Sequence, residues 1–103
     1  MIGAMDAKRD PDANPIDYEI IEEKAATLGR VTARLEATLA ALEAAEDPAL
    51  RASLREEAAE WLWYVVVQRE AIGVTHHDAL FEAYRIPPAI RRIMGPRRKP
   101  PSG

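Results

Sequence analysis

His76, His77 and Asp78 are the residues whose types point most directly to chemistry, because imidazole and carboxylate groups are common metal ligands. They are consecutive, however, and adjacent helical residues point about 100° apart, whereas helical metal pairs are spaced three or four residues apart. Four residues after the two histidines stand Leu80 and Phe81, which are not ligands. We therefore predict no metal site and no cofactor here, and we interpret the segment as an exposed helix start.

The remaining polar residues do not form a catalytic pattern. The sequence has no cysteine, no Gly-x-Ser-x-Gly elbow, no glycine-rich phosphate loop and no Glu-x-x-His pair. The acidic clusters at residues 19–23 and 56–60 are typical of solvated helix faces, the first of them also complementing a helix dipole. We predict that the protein is not an enzyme.

Positive charge is concentrated at the end of the chain. Residues 1–82 carry 8 basic and 17 acidic side chains, whereas residues 83–103 carry six basic side chains and no acidic one. The segment HHDALFEAYR-IPP-AIRRIM resembles a helix-turn-helix in outline, and a basic second helix would suit a DNA groove. The candidate nucleic-acid-binding residues are Arg91, Arg92, Arg97, Arg98 and Lys99. The Pro-Pro turn, the short second helix and the acidic body favour the alternative that this segment caps the helical body.

Two long helices precede that segment. Apolar residues from Ile21 to Leu42 alternate in steps of four and three, which predicts a helix from Ile16 to about Glu46. Asp47-Pro48 is a typical helix start, with Asp as N-cap and Pro at the first helical position. The second helix should run to about Ile72 and end at a left-handed Gly73. The short connection predicts an antiparallel hairpin.

The run WLWYVVV at residues 61–67 is rich in strand-forming types, but helix formers flank it and no turn residue interrupts 49–72. We place it inside the second helix, whose core stripe faces the first helix. The residues of this core stripe are Leu50, Leu54, Ala58, Trp61, Val65 and Ile72. The same segment forms a second apolar patch on the far side and flank, which we predict to be a protein interface. Its residues are Leu62, Trp63, Val66 and Val67. Either the C-terminal helices or a second subunit should cover the patch.

The predicted fold class is all-α: a long antiparallel helical hairpin plus two short C-terminal helices, forming a helical bundle as a homodimer. The third helix should cover 76–85 with Thr75 as N-cap, and the fourth 88–94. Residues 1–15 are predicted to be a flexible N-terminal arm, 16–95 a single helical domain and 96–103 a basic Pro-rich tail.

No apolar run approaches the roughly 20 residues of a membrane span, and the N-terminus lacks the apolar region of a signal peptide. We expect a soluble cytoplasmic protein that does not bind membranes. The favoured function is a scaffold or protein-interaction module that acts through helix–helix contacts. The alternative is a small nucleic-acid-binding regulator that uses the C-terminal segment and tail.

The stretch from about residue 17 to 95 also resembles a family of short proteobacterial proteins known only as a domain of unknown function. The segments that carry the resemblance are Tyr18-Glu19-Ile20, Glu23-Lys24-Ala25, Val67-Gln68-Arg69-Glu70 and Tyr84-Arg85-Ile86-Pro87-Pro88. The resemblance implies a helical fold and a cytoplasmic location. It brings no catalytic or binding residue.

Overall fold

The computed structural model describes residues 15–96, with side chains from residue 18 onward. In this range the chain forms four helices and no strand, so the predicted all-α class is confirmed. They are α1 (Pro15–Ala44), α2 (Pro48–Ala71), α3 (Asp78–Ala83) and α4 (Pro88–Arg92). Pro15, the last residue of the predicted N-terminal arm, begins α1; the rest of the arm, and the basic tail apart from Pro96, lie outside the described residues.

The long helices pack against each other as an antiparallel hairpin, as predicted. The turn between them begins α2 with Asp47, whose Oδ2 accepts a hydrogen bond from the Leu50 amide at 2.9 Å, and Pro48 follows at the first helical position. Arg51 closes the other side of the turn. Its Nη1 donates to the carbonyl oxygens of Leu42 and Ala45 at 2.6 and 2.8 Å, which satisfies the exposed end of α1 with a positive charge.

The hairpin register explains why the ends of both apolar stripes are exposed. Thr38 lies opposite Glu57, so α2 ends opposite about residue 24 of α1. The first residues of α1 therefore extend about 13 Å beyond α2, at 1.5 Å per residue. Ile21 is 58% exposed as a result. Leu50 and Ile72, which we expected in the core stripe of α2, lie at its two ends and are also exposed.

The run WLWYVVV lies inside α2, as predicted. Its buried residues Leu62, Val65 and Val66 span about 100° around the helix, with Leu62 between the other two, so they bury a wide face of α2. The described core holds ten buried apolar side chains. They are Leu35, Leu42, Ala58, Ala59, Leu62, Val65, Val66, Leu80, Ile86 and Ile90.

The chain leaves α2 through the left-handed glycine that the sequence predicts. Gly73 has φ +94°, the Val74 amide donates to Arg69 O at 2.9 Å, and the Gly73 amide donates to Glu70 O at 3.0 Å. These two bonds are the Schellman pattern of a helix end. A Cβ at Gly73 would meet no atom within 4 Å, so the backbone conformation alone requires glycine here.

The predicted N-cap at Thr75 is wrong, because α3 begins two residues later with His77 as its cap. The cause is a longer-range contact. Arg69 Nη2 donates to the His76 carbonyl oxygen, and Arg69 Nε donates to His77 Nδ1, both at 3.3 Å. In a helix that began at His76 this carbonyl would accept from Leu80. The fourth helix is likewise shorter than expected and ends at Arg92.

A second Schellman pattern ends α3, and here the left-handed residue is an arginine. Arg85 has φ +50°, its amide donates to Glu82 O at 3.1 Å, and the Ile86 amide donates to Phe81 O at 3.0 Å. Ile86 is buried directly after this turn. Pro87 then continues in an extended conformation with ψ 145°, and this places α4 against α2.

Candidate functional site

The four residues of the predicted protein interface have different environments. Leu62 is fully buried and Val66 is 8% exposed, so both belong to the core of the chain itself. Trp63 is half-buried, and Val67 is 36% exposed. Of the four predicted interface residues, only Trp63 and Val67 therefore reach solvent. That these residues meet another chain stays a prediction.

The C-terminal helices cover Leu62 and Val66. Leu80 of α3, Ile86 of the following turn and Ile90 of α4 are buried in the same apolar cluster. Tyr84 adds a polar contact across the hairpin, because its hydroxyl donates to Glu36 Oε1 of α1 at 2.9 Å. This hydrogen bond to a carboxylate, together with partial burial and the negative charge of Glu36, raises the pKa of the Tyr84 phenol. We call this side of the hairpin the covered face.

Trp63 forms one wall of a groove at the edge of the covered face. The groove has a volume of about 580 Å³. We call it the Trp63 groove. Its lining residues are Glu56, Trp63, Arg92, Ile93, Met94, Gly95 and Pro96. Ile93 is 53% exposed, and Glu56 and Arg92 are also exposed, so the groove combines an apolar surface with one charge of each sign.

The two candidate sites inferred from the sequence meet in this groove. Trp63 belongs to the predicted protein interface, and Arg92 to the predicted nucleic-acid-binding set. Glu56 also lines the groove, and its position in the sequence already places it on the same side of α2 as Trp63. It precedes Trp63 by seven residues, and residues seven apart lie on the same side of a helix.

Of the other basic candidates, the structure describes only Arg91. The Arg91 guanidinium lies 5.5 Å from the centre of the Phe81 ring, a cation–π contact that holds it against α3. Arg97, Arg98 and Lys99 lie outside the described residues. The candidate recognition helix α4 has only five residues.

His77 is engaged within the chain. Its Nδ1 accepts from Arg69, and its Nε2 lies 3.4 Å from Glu70 Oε2. These contacts hold the α2–α3 connection. Between residues 15 and 96, no group of three or more His, Cys, Asp or Glu side chains is arranged to hold a metal ion. In the same range, no helix is long and apolar enough to cross a membrane.

The fold and groove define a small all-α protein, a helical hairpin capped on one face by two short helices. A family model, DUF6665, a family of unknown function, matches residues 3–99, so the chain belongs to that family. The resemblance to a domain of unknown function inferred from the sequence is therefore confirmed. No curated protein and no solved structure matches the chain.

Proposed function

We propose that the protein is a non-enzymatic interaction module of the cytoplasm, which forms a homodimer and binds a helix of another protein in the Trp63 groove. The observation that supports this proposal most is the groove itself. It presents an exposed isoleucine beside a half-buried tryptophan, with charges of opposite sign at its edge.

This lining suits a helix from another protein better than a nucleic acid strand. Tryptophan and arginine are the residue types that contribute most at protein interfaces. A partner helix could bury one apolar side chain between Trp63 and Ile93 while pairing its charges with Glu56 and Arg92. Glu56 would repel a phosphate backbone at the same place.

Photo-crosslinking inside the native cell tests the proposal, because it captures whichever molecule occupies the groove. A photoreactive phenylalanine analogue replaces Ile93 in the groove or, as the matched control, Leu50 at the far end of α2. Both side chains are about half exposed, at 53% and 50%. We expect discrete protein adducts from position 93 that are absent from position 50, and we expect Trp63→Glu to remove them.

The adducts are then digested separately with protease and nuclease. Adducts destroyed by nuclease would instead support the nucleic-acid-binding regulator. Equal adducts at both positions, or none at position 93, would contradict the groove as an interaction site. Circular dichroism of the Trp63→Glu variant shows whether lost adducts reflect lost folding, and Arg92→Glu, at an exposed position, then provides the second test.

A further inference from the structure

Charge is segregated along α1. Residues 17–23 contain four acidic side chains and no basic one, whereas residues 24–34 contain three basic side chains and no acidic one. The exposed residues include two acidic side chains from the first segment, Glu19 and Glu23, and two basic ones from the second, Arg30 and Arg34. At 100° per residue these four positions fall within about 60° of one another. They form one stripe, which we call the charge stripe.

Within a single chain the charge stripe places like charges next to each other. Glu19 and Glu23 are four residues apart, as are Arg30 and Arg34, and like charges at this spacing repel on a helix surface. Where side chains are described, no ion pair joins any of the four to an opposite charge. Arg30 donates to the Thr27 hydroxyl, and the Arg34 guanidinium lies 5.8 Å from the Trp61 ring centre.

The stripe lies away from the covered face. Arg34 and Glu36 differ by about 200° in direction around the axis of α1, so they lie on nearly opposite sides of the helix. The Glu36 carboxylate accepts a hydrogen bond from Tyr84 in the C-terminal segment. Arg34 instead meets Trp61 on the other side of the hairpin, which we call the open face. The half-buried ring of Tyr64 lies 5.7 Å from Trp61. Ile20, also toward this side, is 43% exposed.

We propose that a second copy of the chain packs on the open face with its α1 antiparallel to the first. A two-fold axis between Ala26 and Thr27 sets Glu19 against the partner copy's Arg34 position and Glu23 against its Arg30 position. Each acidic pair then meets a basic pair, and the same contacts repeat across the axis, which closes the dimer. Ala26 and Ala33 beside the stripe let the two helices approach closely.

The reverse orientation fails on the same pattern, because parallel helices in register would set acid against acid and base against base. The inference rests on the proposed function, since it names a second copy as one partner of the module. It uses the open face, however, and leaves the Trp63 groove free for another protein.

Two variants of opposite charge test the pairing. The basic variant carries Glu19→Arg and Glu23→Arg, and the acidic variant carries Arg30→Glu and Arg34→Glu. Sedimentation equilibrium measures the dimer dissociation constant of each. We expect both to rise by about tenfold or more relative to the unaltered chain, because every cross-helix attraction becomes a repulsion. An equimolar mixture should form a heterodimer, since an all-basic stripe then faces an all-acidic one.

The quadruple variant that carries all four changes is the matched control. Its stripe is inverted but still self-complementary, so we expect it to dimerise like the unaltered chain. A monomeric unaltered chain, or single-sign variants that dimerise undiminished, would overturn the inference. Neither result would affect crosslinks from position 93, so failure here is distinguishable from failure of the groove proposal. Circular dichroism checks that each variant stays helical.

Discussion

The two faces of the hairpin are built on different principles. On the covered face, apolar side chains of α2 lie under Ile86, Ile90 and Leu80, and a single phenol–carboxylate bond closes the edge. On the open face, polar groups bridge the helices, with Thr38 bonded to Glu57 and Arg34 stacked near Trp61. The first face is completed by the chain's own C-terminal residues. The second leaves pairs of like charges and aromatic edges exposed.

The largest predicted loss of stability concerns the covered face and follows from truncation of Ile90. This side chain is fully buried, so Ile90→Ala should lower the free energy of unfolding by about 2–5 kcal/mol through lost burial and a cavity. Ile93→Ala, three residues later and 53% exposed, is the control and should change it by less than about 0.5 kcal/mol. Urea unfolding measures both. Equal effects would mean that α4 does not hold the covered face.

Substitutions at Gly73 and Arg85, the left-handed residues of the two turns that bring the C-terminal helices onto the covered face, should change the free energy of unfolding with opposite signs. Gly73→Ala should destabilise by about 1 kcal/mol, because alanine is strained at φ +94°. Arg85→Gly should stabilise by about 0.5 kcal/mol, since glycine relieves the same strain at φ +50°. Thermal and urea unfolding of both variants check the signs. A loss of stability in Arg85→Gly would show that the arginine side chain contributes more than its backbone conformation costs.

The last predicted effect, similar in size to those at Gly73 and Arg85, concerns the polar bridge of the open face. The Thr38 hydroxyl lies 2.8 Å from Arg34 O and 2.9 Å from Glu57 Oε2, and Thr38 is 5% exposed. Thr38→Val keeps the shape and removes the hydrogen bond, which should cost about 0.5–1.5 kcal/mol. Thr27→Val is the control, measured at a protein concentration at which the chain is monomeric, because Thr27 Oγ1 bonds the carbonyl four residues back and accepts from Arg30 but bonds no acceptor on α2. If both variants unfold alike, the bond to Glu57 contributes nothing.

The sequence predicts those elements whose signals are local. Asp47-Pro48 and Gly73 mark helix ends through their own backbone chemistry, and both are where the pattern places them. The prediction of Thr75 as N-cap was wrong because it considered only neighbouring residues. Arg69, on α2, donates to the His76 carbonyl oxygen, which would accept a helical hydrogen bond in a longer α3. Arg85 was missed because nothing in an arginine's side chain indicates a left-handed backbone.

The candidate site shows the same division. Periodicity placed Trp63 and Val67 away from α1, and both reach solvent. It did not settle that Leu62 and Val66 are buried, because this depends on how α3 and α4 return to the hairpin. The groove itself also depends on that return, since it joins one wall from α2 to another from the residues after α4.

The overhang of α1 has a consequence for amide hydrogen exchange. Among the described residues, those before Lys24 keep their helical hydrogen bonds but have no second helix of residues 15–96 beside them, and short unsupported helical segments are marginal in water. Their amides should exchange through fraying, whereas those near Leu35 should require global unfolding. In the proposed antiparallel dimer the overhang would lie along the second copy. Protection of residues 18–23 should therefore rise with protein concentration while the hairpin interior is unaffected.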